Sequence, residues 1–286
     1  MPSRSLVAVH PAMRDDIGDL VTRRPLPGPG LDQVDPFLFL NHHGPQTYRP
    51  GNQGLPFGPH PHRGFETVTF ILEGELAHLD SGGHESVIRA GGVQWMTAGR
   101  GLVHAEVSPE SFKRAGGPME ILQLWVNLPG RLKMTAPAYT GLQREDIPLV
   151  EADDGRVRIE LISGTWEGHK GAFESLTGVA MTVLRLAPGG RVSAPAPQGR
   201  NVFLYVVAGT LEVAGTPVPK FNLVELADDG DSVALVAGAE GAVALFGHAA
   251  PLSEPVVAHG PFVMNTREEI VAAVRDYQAG RFGTLS

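Results

Sequence analysis

Two pairs of potential metal ligands lie in the first half of the chain. His60 and His62 are two positions apart in the segment GPHPHRGFE, and His104 and Glu106 are two positions apart in GRGLVHAE. Side chains two positions apart on an extended strand point to the same face. If the two strands face each other, three imidazole nitrogens and one carboxylate oxygen converge, with room for a water or a substrate. The spacing therefore predicts an open metal centre of the catalytic type.

Neighbouring titratable residues offer alternatives to this ligand set. Glu66 has the same strand parity as His62 and is an alternative carboxylate ligand in place of Glu106. His42 and His43 are adjacent and point to opposite faces of a strand, so that at most one of them approaches the metal. We expect them to pack around the site or to support it.

The elements that must position these residues are strands. Short apolar runs bounded by Gly, Pro and Asp recur along the chain, among them FETVTFIL, ELAHLD, VQWMTAG, EILQLWVNL and NVFLYVVAG. Such runs predict a sandwich or a barrel. His78 and His84 flank a polar DSGG turn, and we expect both to be solvated. The most apolar stretch, SVALVAGAEGAVALFG, is interrupted by Glu240 and predicts two strands around a GAEG turn rather than a membrane span.

One helix is predicted near the end of the chain, from Arg267 to Ala279. Thr266 and Glu269 form a T-x-x-E capping box at its start. Apolar residues follow at helical spacing, namely Ile270, Val274 and Tyr277. We expect this helix to pack its apolar face against a β-domain.

The strand pattern repeats within the chain. An offset of about 135 residues pairs Gly74-Glu75-Leu76 with Gly209-Thr210-Leu211, which indicates two copies of one β-domain. A stretch rich in Pro, Gly and polar residues separates the copies. We therefore predict an N-terminal metal-binding barrel over residues 1–130, a linker over 131–150, and a C-terminal barrel over 151–286 that ends in the helix.

The second copy lacks the candidate ligands. The same offset places Pro195 and Pro197 where His60 and His62 stand. Because proline has no side-chain donor atom, we expect the second copy to hold no metal and to serve as a scaffold, a lid or a docking surface.

Composition excludes several classes of protein. The 286 residues contain no Cys, which rules out disulfide scaffolds, thiolate zinc sites and cysteine nucleophiles. A net charge of −8 argues against direct nucleic-acid binding, which needs clustered Lys and Arg. The first twenty residues carry charges and no apolar segment of a signal peptide, and no other segment predicts a membrane span. These features predict a cytoplasmic protein whose partners are small molecules or proteins.

Three segments together resemble the pirin family. They are GPHPHRGFETVTFILEGEL, VQWMTAGRGLVHAE and the tail PFVMNTREEIVAAVRDYQAGRFG. The resemblance implies an all-β fold of two cupin barrels (double-stranded β-helix, jelly-roll) with a C-terminal helix. It carries the metal ligands over to His60, His62, His104 and Glu106, and it implies one divalent metal ion, Fe(II) first, with Mn, Ni, Cu, Co or Zn as the other candidates.

The resemblance also implies an activity like that of quercetin 2,3-dioxygenases, with quercetin or a related flavonol and dioxygen as substrates. In that mechanism Glu106 is both ligand and acceptor of a substrate proton. The chain departs from many bacterial relatives, which have DHFGP where it has NHHGP at residues 41–45. The chain therefore lacks an acidic and an aromatic side chain at these positions near the pocket.

Two other functions fit the same residues. The first is a protein-binding module, a transcriptional or enzyme co-regulator, whose docking depends on the metal and its redox state without catalysis. The second is a different reaction at the same site, since one fold hosts many functions. Oxygen uptake with flavonols distinguishes the first of these from a dioxygenase.

Overall fold

The structure, a computed structural model, describes residues 3–285, most of which form β-strands. The strands of the first half are β1 Leu6–Pro11, β2 Met13–Arg14, β3 Thr22–Leu26, β4 Phe37–Tyr48, β5 Phe57–His62, β6 Phe65–Glu73, β7 Glu75–Asp80, β8 Glu85–Arg89, β9 Val93–Thr97, β10 Leu102–Val107, β11 Gly117–Asn127 and β12 Ala138–Leu142.

The second half continues this pattern. Its strands are β13 Leu149–Ala152, β14 Val157–Ser163, β15 Thr165–Trp166, β16 His169–Lys170, β17 Ala180–Leu186, β18 Arg191–Pro195, β19 Asn201–Val213, β20 Thr216–Pro219, β21 Asn222–Leu226, β22 Ser232–Ala249, β23 Val257–His259 and β24 Phe262–Met264. The helices are α1 Glu110–Ala115 and α2 Arg267–Gln278, with 3-10 turns at Gly130–Leu132 and Arg144–Asp146. The predicted all-β fold with a C-terminal helix is confirmed, and the six-residue α1 is an addition.

Two compact units divide the chain. The N-terminal β-unit contains Arg14–Arg23, Phe37–Glu145 and the described residues from Leu252 onward. The C-terminal β-unit contains the described residues up to Met13, Arg24–Pro36 and Asp146–Pro251. The boundaries therefore differ from those predicted, because each end of the chain belongs to the unit formed by the other half. Residues 252–285 carry α2 into the N-terminal β-unit.

The N-terminal β-unit is built on two sheets. Within residues 3–285, one sheet has the strand order β5-β10-β7-β8, and the other has the order β12-β9-β6-β11-β4-β3-β2. Strands β6, β9 and β10 are buried along almost their whole length. An apolar cluster that includes Leu20, Ile71, Leu76, Phe112 and Met119 forms part of the core of this unit.

The C-terminal β-unit has one large sheet with the order β1-β21-β19-β22-β17-β14-β13 among the described strands. The prediction of two strands around a GAEG turn is wrong, since β22 is one strand of eighteen residues. Its first half pairs with β18 and its second half with β17, while β19 runs beside both halves. The pairing with β19 shifts register at this point, between Gly209 and Leu211, so the glycines of the GAEG segment lie at a bulge within a continuous strand.

The predicted repeat has a counterpart in the backbone. Gly74 and Gly209, which the 135-residue offset aligns, both have positive φ, 84° and 70°. A Cβ atom on Gly74 would lie 2.7 Å from the Pro118 carbonyl oxygen, and one on Gly209 would lie 2.1 Å from that of Gly241. The strand pairing also shifts register beside each glycine. Only glycine fits such a position, so the two copies share a bulge as well as a hydrophobic pattern.

The C-terminal helix begins as predicted. Thr266 and Glu269 form the reciprocal capping box. Ile270 and Ala273 are buried, whereas Tyr277 is 41% exposed and contacts Phe262 and Phe282 with its ring. The helix therefore packs one apolar stripe onto its unit, and Tyr277 lies at the edge of that contact. In the part of the chain that the structure describes, no helix is long and apolar enough to cross a membrane.

The predicted linker over residues 131–150 contains structure of the N-terminal β-unit. Strand β12 pairs with β9 over its whole length. Lys133 is 1% exposed, and its ammonium donates to the Gly64 carbonyl at 2.9 Å and to Asn127 Oδ1 at 2.6 Å. The linker is predicted from its Pro and Gly content, which reflects only local backbone preferences. The pairing of β12 with β9 depends on residues distant in sequence, so this content does not reveal it.

Candidate metal centre

Three of the predicted ligands converge on neighbouring strands. Strand β5 pairs antiparallel with β10, and His60 lies directly opposite His104. The ring of His104 lies 4.3 Å from that of His60 and 5.0 Å from that of His62, measured between centroids. One nitrogen from each histidine can be chosen so that all three lie within 4.8 Å of one another. Within residues 3–285, this is the one group of three or more potential ligands that converges in this way.

The hydrogen bonds of two rings orient their nitrogens. The Nδ1 atom of His60 lies 2.7 Å from the Gly58 carbonyl oxygen, and that of His62 lies 3.3 Å from the Pro261 carbonyl oxygen. Because a carbonyl only accepts, Nδ1 carries the proton in both rings. The lone pair is therefore on Nε2, the usual arrangement for a histidine ligand. Pro261 belongs to the C-terminal segment of the same unit, which thus helps to orient His62.

His104 has the environment of a ligand whose partner is an ion. Its side chain is fully buried, and neither Nδ1 nor Nε2 finds a hydrogen-bond partner among the described residues. A buried polar atom without a partner is costly and rare in folded proteins. A divalent ion that accepts the lone pair of one nitrogen resolves half of this deficit. The residues present therefore fit a metal ion.

Burial keeps the imidazoles neutral. Desolvation, followed by the nearby His60, lowers the pKa of His62 to about 3. Desolvation and the neighbouring histidines also lower the pKa of His104 far below its ordinary value. Neutral imidazole is the form that binds metal, so this pocket holds both rings in the binding form across the physiological pH range.

The same shifts predict that metal-stripped protein loses stability in acid. Below a pH of about 6.5 the unfolded chain protonates these histidines while the folded chain does not, so the free energy of unfolding falls as the pH falls toward about 3. For His62 the loss between pH 7 and pH 5 is about 2 kcal/mol. Thermal melts of stripped wild type and His62→Asn across this range test it, and the variant should show the shallower decline. An equal decline in both proteins would contradict it.

Glu106 lies next to this group but outside it. The carboxylate is 1% exposed and accepts hydrogen bonds from Thr69 Oγ1 at 3.0 Å, from Gln94 Nε2 and from Gln123 Nε2. The three donors form one row across β9, β6 and β11, because Thr69 is paired with both glutamines. The pairing of β10 with β5 shifts register between His104 and Glu106, so that His104 lies opposite His60 whereas Glu106 lies opposite Phe57. The structure therefore places Glu106 in a cradle of donors on the facing sheet.

The carboxylate of Glu106 fixes the direction of each hydrogen bond in the chain that leads from it to Ser86. A carboxylate only accepts, so the Gln94 amide must turn its nitrogen toward Glu106 and its oxygen toward Tyr139, whose hydroxyl donates to it at 3.1 Å. Burial raises the pKa of Tyr139 to about 12, which keeps the hydroxyl protonated. The half-buried Ser86 hydroxyl then donates to Tyr139. Sequence reasoning missed these residues, because nothing local connects them to Glu106.

The alternative ligand Glu66 does not reach the histidines. It lies three positions from Thr69 on β6, so it faces the opposite side of the sheet. Its Oε1 accepts a hydrogen bond from Thr97 at 2.6 Å. The prediction that it replaces Glu106 is therefore not supported by the geometry.

The other histidines near the site have structural partners. His42 Nε2 lies 2.8 Å from Glu120 Oε1, and His43 Nδ1 lies 2.9 Å from Thr22 Oγ1, in keeping with opposite faces. His84 is half exposed, as expected. The expectation that His78 is solvated is wrong. Its side chain is buried, bonded to Asp80 at 3.0 Å and stacked on Tyr139, because β7 lies between two other strands of its sheet.

Aromatic residues form one wall beside His62. Phe65 and Trp125 contact its ring at centroid distances of 5.0 and 5.3 Å and contact each other at 4.4 Å. The indole nitrogen of Trp125 is buried and has no hydrogen-bond partner in the described residues. Phe70 and Trp95 follow Thr69 and Gln94 directly in sequence and so face away from the site.

Family models match both halves of the chain. The model described as pirin covers residues 19–126, and that described as the pirin C-terminal cupin domain covers residues 181–283. A pirin-like protein from Caulobacter vibrioides is 43% identical over 272 residues, covering 94% of each chain.

Solved structures show the same similarity. The crystal structure of quercetin 2,3-dioxygenase from Acinetobacter baumannii covers 100% of both chains with 32% identity and a TM-score of 0.93. The bacterial pirin YhhW from Escherichia coli, solved in complex with nickel(II), is 19% identical with a TM-score of 0.68, covering 85% of this chain and 99% of its own, and it shows the fold alone. The chain, with its two cupin-like domains, therefore belongs to the pirin family.

Proposed function

We propose that this protein is a metal-dependent dioxygenase that acts on quercetin or a related flavonol, with Fe(II) as the metal. The observation that supports this most directly is the buried His104, whose two nitrogens lack partners where three imidazoles converge. The relative from Acinetobacter baumannii, which is named for this activity, supports the reaction class. The nickel complex of YhhW supports a divalent ion in this fold, and nitrogen and oxygen donors also accept Mn, Ni, Cu, Co or Zn.

His60, His62 and His104 would hold the ion, with Glu106 as the proposed fourth ligand. A carboxylate has about four lone-pair positions, and three of them accept the described hydrogen bonds. One position therefore stays available, and the ion and the substrate proton would occupy it in turn. A bound divalent ion lowers the pKa of a hydroxyl group that coordinates to it.

Glu106 is the group that would take the proton of the flavonol 3-hydroxyl. Its three hydrogen-bond donors fix the carboxylate in one orientation, and a general base must be held within reach of the proton that it accepts. The deprotonated flavonol is the electron-rich form that reacts with dioxygen. Phe65 and Trp125 form an apolar wall beside His62. Phe65 is fully buried and backs this wall, whereas Trp125 keeps part of its surface accessible and would contact an aromatic substrate.

Oxygen uptake by the iron-loaded protein tests this proposal. We expect consumption of dioxygen together with loss of the flavonol absorbance, and none with metal-stripped protein. A flavone that lacks the 3-hydroxyl is the matched control and should be inert, because it has no proton for Glu106 to accept. If the metal-replete protein consumes no oxygen with any flavonol or catechol, and captures a partner protein in one metal oxidation state only, the redox-dependent docking function replaces the dioxygenase.

A further inference from the structure

A groove unrelated to the histidine cluster lies between α2 and β23 in the N-terminal β-unit. It has a volume of about 630 Å³, and its apolar floor is formed by Ile270, Val271 and Val274 of the helix together with Val257 and Ala258 of the strand. Val271 is 48% exposed. Neither the candidate ligands nor Glu106 line this groove, so the proposed function leaves it unexplained.

Two arginines mark the ends of the helical wall. Arg267 and Arg275 both line the groove and are exposed. Neither forms an ion pair or a side-chain hydrogen bond with any residue in the range 3–285, whereas the nearby Arg63 and Arg281 both bind Asp276. Eight helical positions separate the two arginines, which corresponds to about 12 Å along the axis. A chain of net charge −8 thus presents an apolar groove with a positive charge at each end.

The opposite wall is an edge strand. Among the described strands, β23 pairs with β24 alone, so the backbone groups on its other side have no strand partner. An open edge of this kind accepts an added strand from another chain, with affinity from backbone hydrogen bonds and specificity from side-chain pockets. An extended peptide covers about 12 Å in roughly four residues.

We propose that this groove binds an extended segment of a partner protein in which two acidic residues, about four positions apart, flank aliphatic residues. The acidic side chains pair with Arg267 and Arg275, the aliphatic side chains pack on Val271 and its neighbours, and the backbone adds to β23. A peptide fits better than a small molecule because the groove is open to solvent rather than enclosed, whereas small-molecule sites bury most of their ligand.

Fluorescence anisotropy with the full-length protein tests this proposal. The probe is a labelled peptide with two glutamates separated by three valine or threonine residues, and the comparison peptide has lysines in place of the glutamates. We expect binding of the glutamate peptide only, weakened by added salt. The double variant Arg267→Glu/Arg275→Glu should weaken it at least about tenfold, since two pairs become repulsive contacts, and should gain affinity for the lysine peptide.

Controls separate the groove from nonspecific attraction. Arg158→Glu changes one exposed arginine in the other β-unit and should leave peptide affinity unchanged. Val271→Asp should weaken binding without lowering the metal content, because it removes exposed apolar surface only from the groove. Equal affinity of wild type and the double variant for the glutamate peptide would overturn the proposal. Binding of a linear dicarboxylate such as decanedioate, without peptide binding, would also overturn it in favour of a small-molecule site.

Discussion

His104→Ala is expected to abolish stoichiometric metal binding. The side chain is fully buried, both of its nitrogens lack partners, and it lies opposite His60 on the neighbouring strand. Alanine removes one of three converging donors, and His60 and His62 alone form an incomplete site. Elemental analysis of protein purified without chelators should find about one equivalent in the wild type and far less in the variant.

Thermal stability supplies a second measurement for this variant. A ligand that binds only the folded state stabilises it, so a chelator should lower the melting temperature of the wild type and leave that of His104→Ala unchanged. His84→Ala, which removes a half-exposed histidine, is the matched control and should retain the metal. Full metal occupancy in His104→Ala would refute the assignment of this residue as a ligand.

Glu106→Gln is expected to lower flavonol-dependent oxygen consumption by about a hundredfold to ten-thousandfold, the usual contribution of a general base. The metal content should fall far less, because the three histidines stay in place. The amide at position 106 also directs an N–H group toward one of the three donors, so that two donors face each other without an acceptor between them. We therefore expect a loss of about 1 to 3 kcal/mol in the free energy of unfolding.

A compensating exchange separates the chemical effect from the structural one. In the double variant Glu106→Gln/Gln123→Glu, the carboxylate at position 123 accepts a hydrogen bond from the amide nitrogen at position 106. Gln94 and Thr69 still donate to the amide oxygen at position 106. This variant should recover most of the lost stability and remain inactive. Glu66 is a buried carboxylate on the opposite face of the sheet. The Glu66→Gln variant is the matched control and should consume oxygen at the wild-type rate. Recovery of activity in the double variant would show that Glu106 acts only through structure.

The sequence alone determined the two pairs of candidate ligands and the C-terminal helix, whereas the pairing of β5 with β10 brought His104 to the first pair. Side chains two positions apart share a face of any strand, so His60 and His62 converge wherever the chain is extended. The capping box of α2 is equally local, since Thr266 and Glu269 are separated by less than one helical turn. The all-β class also follows from short apolar runs with frequent glycine and proline. Each of these inferences depends on backbone geometry within a few residues.

Only the tertiary structure decided the setting of Glu106 and the composition of the units. Gln94 and Gln123 reach Glu106 from strands of the facing sheet, and Tyr139 orients Gln94 from a strand within the segment predicted as a linker. The C-terminal segment packs Phe262 and Ile270 with Val103, next to His104. These contacts depend on register and on packing between distant segments, which local hydrophobic patterns do not encode. The ligands are therefore visible in short motifs, while the groups that orient them are determined by the fold.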